Sequence, residues 1–147
     1  GKKLWTAKGH ASAPSTVVFS PDGKWIATGG QDRLAKIWDA TTGKCLHTME
    51  HGRDVMGVAF SPDGKKLAVA CSNNNAHIWE IASGNQLREW SNLTGPAASV
   101  YFSRDGKTLL VGCTNRTYLM DVATGKELAS NPNARSGWSR GGAFSPD

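Results

Sequence analysis

A six-residue motif recurs along the chain at a nearly constant spacing, and this repeat constrains the fold more than any other feature. The motif Phe-Ser-Pro-Asp-Gly-Lys begins at Phe19 and again at Phe60. A variant with Arg in place of Pro begins at Phe102, and the first four residues return at Phe144, so that the spacing is 41 or 42 residues. A period of this length is typical of a repeat protein in which each repeat is one supersecondary unit.

A second motif follows each of the first three copies at the same spacing: Ile37-Trp38-Asp39, Ile78-Trp79-Glu80 and Leu119-Met120-Asp121. Between the motifs, short β-branched and apolar segments alternate with turn-forming Gly, Pro, Asp and Ser, and helical periodicity is absent. Four antiparallel strands in about 42 residues predict one blade of a radial sheet array.

These motifs closely resemble those of the WD-repeat β-propeller family, which also has a Gly-His pair like Gly9-His10 before the first strand. The resemblance implies an all-β fold: a partial propeller of three four-stranded blades with a flanking strand at each end. Residues 1–147 are predicted to form a single segment. Its repeats are expected at about 10–50, 51–92 and 93–134, with an incomplete fourth at 135–147.

The repeat count bears on how the propeller is completed. Propellers have about 4–8 blades, whereas this sequence holds about three and a half repeats by length. We therefore expect that either missing blades or self-association closes the structure, and we favour a segment of a longer propeller over a self-assembling partial one.

The resemblance also implies a hydrogen-bonded tetrad in the first repeat, formed by His10, Thr28, Asp32 and Trp38. The residue types support this. A carboxylate can accept a hydrogen bond from an imidazole, the imidazole can bond to a hydroxyl, and the hydroxyl can accept a hydrogen bond from the indole N–H. We interpret the set as structural and expect no catalytic residues, although the same residues allow an alternative as a hydrolase that uses His10 and Asp32.

The second repeat offers a partial tetrad of His51, Asn73 and Trp79, with a valine in the place of Thr28. Cys45 and His47 precede His51 at a spacing that suggests metal ligands, but a fourth ligand is absent nearby in the sequence. We therefore expect no metal and no cofactor. Cys71 and Cys113, which match Gly30 in position, are expected to be small buried residues.

In the family, partners commonly contact the connections before the first strand and between the second and third strands. Carried over to this sequence, the resemblance implies partner-binding residues at Gln31, Asp54, Met56, Trp138 and Arg140. Met, Trp and Arg are residue types enriched at interface centres. The chain is thus predicted to be a non-enzymatic scaffold that binds a protein or peptide.

Charge and composition limit the alternatives. The net charge is +5, and lysines recur in the turns after the first and third strands, which allows a second alternative as a nucleic-acid-binding platform. Aspartates in the same turns neutralise much of this charge, so nucleic acid is disfavoured. No apolar stretch approaches the roughly 18–20 residues of a membrane helix, so no membrane partner is expected. Three cysteines, an odd number, suit a reducing, cytoplasmic location.

Overall fold

The structure is a computed structural model, and it describes Thr6 and residues 9–132. The described residues form strands joined by turns. The strands are β1 (Pro14–Phe19), β2 (Trp25–Gly30), β3 (Leu34–Asp39), β4 (Cys45–Glu50), β5 (Val55–Phe60), β6 (Lys66–Cys71), β7 (Asn75–Glu80), β8 (Gln86–Trp90), β9 (Ala97–Phe102), β10 (Thr108–Cys113), β11 (Thr117–Asp121) and β12 (Glu127–Asn131).

The strands form three separate four-stranded antiparallel sheets, β1–β4, β5–β8 and β9–β12, and within each sheet the strands follow in sequence order. These are the three predicted blades, so the all-β fold class is confirmed. The flanking strands and the incomplete fourth repeat fall outside the described residues. In the part of the chain that is described, no helix is long and apolar enough to cross a lipid bilayer.

The Phe-Ser-Pro-Asp-Gly motif forms the turn between the first two strands of a blade. In the first blade, the Ser20 hydroxyl donates to Asp22 Oδ1 at 2.7 Å and accepts from the Trp25 N–H at 2.9 Å. Gly23 has a φ of 70°, which glycine adopts without steric cost. The motif therefore recurs because each of its residues fixes the same tight turn. The serine–aspartate bond is repeated by Ser61 with Asp63 and by Ser103 with Asp105.

Two apolar clusters fill the spaces between consecutive blades. Strand β6 contributes to both, because successive side chains of a strand point to opposite faces. Leu67 and Val69 belong to the cluster shared with the first blade, whereas Ala68 and Ala70 belong to the cluster shared with the third. All four are fully buried. The second blade is thus held on both faces, and the small alanines let the third blade approach closely.

One face of the first blade is uncovered within the described residues. On β1, Val17 is 64% exposed and Phe19 is 65% exposed. The corresponding positions on β5 are Val58, which is only 5% exposed, and Phe60, which is partly buried against the first blade. Val17 and Phe19 therefore lie on the face of the first blade that corresponds to the face by which the second blade packs against the first.

Candidate partner-binding groove and adjacent polar networks

The structure brings His10, Thr28, Asp32 and Trp38 together in one hydrogen-bonded chain. The Trp38 indole N–H donates to Thr28 Oγ1 at 2.9 Å, and the same hydroxyl lies 2.7 Å from His10 Nε2. The other ring nitrogen, Nδ1, lies 2.9 Å from Asp32 Oδ1. Because the carboxylate can only accept, Nδ1 carries the proton and the Thr28 hydroxyl donates to Nε2. Thr28 and Trp38 are buried, so this network lies inside the blade.

Asp32 ties the β2–β3 connection to the segment that precedes β1. Its carboxylate accepts from the Ala11 N–H at 2.8 Å and from the Leu34 N–H at 3.3 Å, besides His10. Burial raises the pKa of Asp32, but the hydrogen bonds from His10, Ala11 and Leu34 and the charge interaction with His10 together outweigh burial and leave the pKa below its ordinary value of 3.8. Asp32 is therefore ionised near neutral pH and acts as a fixed acceptor.

The tetrad depends on the absence of a side chain at Gly30. A Cβ placed there would lie 2.7 Å from His10 Nδ1 and 2.6 Å from Asp32 Oδ1, which is closer than such atoms approach. In the second blade the same register position, opposite the first residue of the innermost strand, is held by Cys71. The cysteine side chain thus occupies the space in which the first blade forms its imidazole–carboxylate bond.

The second blade accordingly lacks the network. His51 packs edge-on against Trp79, with ring centroids 5.6 Å apart, and its ring also lies 4.7 Å from that of His77. Both ring nitrogens of His51, the Trp79 indole nitrogen and Asn73 Oδ1 are buried without a hydrogen-bond partner among the described residues. The sequence placed His51, Asn73 and Trp79 at tetrad positions. In the structure the rings of His51 and Trp79 pack together, but the tetrad hydrogen bonds are not formed among the described residues.

The third blade replaces the polar network with apolar packing. Leu93, Val111 and Met120 occupy three of the equivalent positions, and all three are buried in the cluster between the second and third blades. Asn115, at the fourth position, is exposed. Polar bonding inside the blades therefore declines from the first repeat to the third.

A groove of about 460 Å³ runs across the innermost strands of all three blades. Gln31 and Met56, two of the predicted partner-binding residues, line it together. Gln31 is exposed and Met56 is half-buried. Hydroxyl groups of Ser15 and Thr16 and the apolar side chain of Val100 also line the groove, so it offers both polar and apolar contacts.

The remaining predicted partner-binding residues are placed differently. Asp54 is half-buried just before β5, where its backbone carbonyl accepts from the Ser72 N–H at 3.0 Å. It borders the groove in sequence but does not line it. Trp138 and Arg140 lie outside the described residues.

The turns that carry the lysines form a second depression, of about 770 Å³, between the second and third blades. Lys66, Arg104 and Lys107 line it, but so do three aspartates. The aspartates are Asp63, Asp105 and Asp121. Positive and negative groups are therefore interspersed on this surface.

Sequence reasoning missed His77. The trio of cysteine and histidine residues suggested by spacing was Cys45, His47 and His51, but Cys45 Sγ instead lies 3.4 Å from the His47 backbone carbonyl oxygen. The structure brings His51 to Cys71 and His77, whose ligand atoms all lie within 4.8 Å of one another. The available signal was cross-strand register, because His77 pairs with the residue two positions before Cys71.

Comparison with known proteins agrees with this geometry. Over 55 residues the chain is 40% identical to eukaryotic translation initiation factor 3 subunit I of Phaeosphaeria nodorum. This match covers 37% of the chain and 17% of that protein. It is 48% identical over 52 residues to a periodic tryptophan protein 2 homolog of Dictyostelium discoideum, 35% of the chain and 6% of that protein. It is 46% identical over 43 residues to small ribosomal subunit protein RACK1 of Drosophila melanogaster, 29% of the chain and 14% of that protein.

The chain thus spans less than a fifth of the length of each of these relatives. The family model described as WD domain, G-beta repeat matches residues 1–39 and 43–80, which together are more than half of the chain. These matches include strands β1 to β7 and the whole tetrad. With the three four-stranded blades and the repeated turn motif, they establish that the chain belongs to the WD-repeat family.

Proposed function

We propose that this chain is a non-enzymatic scaffold that binds a protein or peptide in the groove across β1, β5 and β9. The observation that carries the proposal is the convergence of Gln31 and Met56, two positions chosen from sequence, on one groove of about 460 Å³. Methionine adapts its shape to a partner, and the adjoining hydroxyls supply hydrogen-bonding capacity. We further propose that residues 1–147 act as a single segment.

The shape of the groove favours an extended segment as the occupant. Each innermost strand pairs with a neighbour on one side only within its sheet, so the groove presents backbone edges as well as side chains. An extended peptide can use such edges for main-chain hydrogen bonds, while side-chain pockets give specificity. Asp54 precedes Met56 by two residues, and its carboxylate would favour a partner with a basic residue.

Two observations argue against the alternatives. For a hydrolase, Thr28 would be the nucleophile, but its hydroxyl is buried and already engaged by both Trp38 and His10. For a nucleic-acid platform, the lysine turns would form the surface, but aspartates line the same depression and reduce the attraction to phosphates.

The names of relatives support a place in large intracellular assemblies. Two of the matched proteins are named for translation initiation and for the small ribosomal subunit. We propose a cytoplasmic location and protein partners for this chain on that basis, and we propose that further blades or self-association complete the propeller.

The test compares two faces of the same molecule. Partners are captured with the wild-type chain, with a Gln31→Ala/Met56→Ala variant, and with a matched variant in which three turn lysines are reversed in charge (Lys24→Glu, Lys65→Glu and Lys107→Glu). We expect the groove variant to weaken binding by about fivefold or more, since truncating a hot-spot residue costs over about 1 kcal/mol. Loss of binding in the lysine variant, with retention in the groove variant, would contradict the proposal.

A further inference from the structure

We propose that His51, Cys71 and His77 form a binding site for a closed-shell d¹⁰ metal ion, Zn²⁺ or Cu⁺, inside the second blade. The two imidazoles and the thiol are all buried, and their ligand atoms lie within 4.8 Å of one another. Imidazole and thiolate are the protein donors that these ions prefer.

The unpartnered state of His51 points to a missing ligand. More than nine-tenths of this residue is buried, yet neither ring nitrogen has a hydrogen-bond partner among the described residues. An unsatisfied buried polar group costs about 1–3 kcal/mol. A neutral imidazole at this position has a lone pair available for a metal.

One ring nitrogen of His77 is held by a hydrogen bond, as in many metal-binding histidines. Its Nδ1 lies 3.1 Å from Gln86 Oε1, which can only accept a hydrogen bond. This contact places the proton on Nδ1 and leaves the lone pair on Nε2. A metal-binding histidine usually donates its other ring N–H to an oxygen acceptor in this way. Gln86 would therefore be a positioning residue for the site.

Cys71 supplies the charged donor. Its side chain stands at the position that glycine must occupy in the first blade, so it reaches the space beside the imidazole. Metal binding would form a metal–sulfur bond and release the thiol proton to solvent, with no change of oxidation state.

Asn73 is the fourth candidate donor. Its Oδ1 is buried without a partner in the described part of the chain. It stands at the repeat position of Asp32, whose carboxylate contacts the imidazole of the first blade. With this oxygen the site would have four ligands, as tetrahedral zinc requires; without it, three ligands remain. Tetrahedral coordination needs donor atoms roughly 3.3–3.6 Å apart, so the donor atoms of His51, Cys71 and His77, which now lie within 4.8 Å of one another, would have to move closer by side-chain rotation.

Charge distinguishes the two ions. One thiolate and two neutral imidazoles neutralise Cu⁺ completely but leave a single positive charge with Zn²⁺. A buried unpaired charge is costly, although the nearby carboxylate of Glu89 would offset part of it. Both ions would bind to the same thiolate and imidazole ligands, and measuring the affinity for each ion shows which one the site prefers.

The experiment uses the untagged 147-residue chain under reducing conditions. Zn²⁺, Co²⁺ as a spectroscopic probe, and Cu⁺ under anaerobic conditions are each titrated into the chelator-treated protein. We expect one equivalent of Zn²⁺ or Cu⁺ to bind, a rise in Tm that grows with ion concentration, and a thiolate-to-cobalt charge-transfer band. The ion that binds more tightly identifies the site.

Matched variants locate the binding. Cys71→Ala and His77→Gln remove ligands, whereas Cys113→Ala changes the equivalent cysteine of the third blade, which has no histidine at the corresponding strand position. The first two should weaken binding by roughly tenfold or more and abolish the charge-transfer band, while the third should bind like the wild type. If neither ion binds, the site holds at most a buried water and the proposal is overturned. Undiminished binding by Cys71→Ala would also overturn it.

Discussion

Replacing Thr28 by valine tests whether the tetrad stabilises the first blade. Valine preserves the shape of the side chain, so no cavity forms, but it removes the hydroxyl. The Trp38 indole N–H, in a residue only 3% exposed, then loses its acceptor. Orphaning such a buried donor costs about 1–3 kcal/mol. The His10 side chain is also largely buried, so its Nε2 loses its hydrogen-bond partner at the same time.

We therefore expect the free energy of unfolding to fall by about 2 kcal/mol, which corresponds to a decrease in Tm of about 4–8 °C for a chain of this size. Urea unfolding followed by tryptophan fluorescence measures the change. Thr28→Ser is the matched control, because it keeps the hydroxyl and loses only a methyl group, and it should cost about half as much or less. A valine variant within about 0.5 kcal/mol of the wild type would refute the reasoning, as would a serine variant that is equally destabilised.

Two further predictions use the same unfolding assay. In the second blade, Val69→Thr places a hydroxyl where Trp79 Nε1 has no acceptor, so it should change the free energy of unfolding by less than about 1 kcal/mol. Val111→Thr in the third blade buries a hydroxyl near no such donor and should cost about 1–3 kcal/mol. Equal costs would show that another group already accepts from the Trp79 indole. For Asp32, the folded-state pKa lies below 3.8, so its contribution to stability is present above about pH 3.8 and is lost as the pH falls through the lower folded-state value. Asp32→Asn should therefore be less stable than the wild type at pH 7, and the difference should shrink in acid; a difference that stays constant with pH would contradict the electrostatic account.

The fold was predictable because the repeat signals are local. Each turn is fixed by its own Ser, Asp and Gly, as in the Ser20–Asp22 bond, and the tetrad residues of the first blade were assigned from the family resemblance together with residue type. The four strands of each described blade and their approximate bounds followed from the spacing of the motifs.

The second blade was less predictable because its chemistry depends on where side chains meet across strands. The sequence shows that Cys71 replaces Gly30, but not that its thiol lies within 4.8 Å of an imidazole nitrogen of His51. It also gives no local sign that His77, on the next strand, turns toward His51. Spacing along the chain indicated Cys45 and His47 instead, although these residues lie on the outer strand of the first blade.

The exposed Val17 and Phe19 make the outer face of the first blade different from the outer face of the third. The surface they form matches the one by which Val58 packs against the first blade, while the far side of the third blade presents the half-buried Leu110 and Leu119. These two surfaces differ. A contact between two copies of the chain that repeats the packing between its own blades must therefore join the first blade of one copy to the third blade of the other, head to tail. A contact of this kind cannot be satisfied by a twofold dimer; it closes only as a ring, and otherwise continues as a filament.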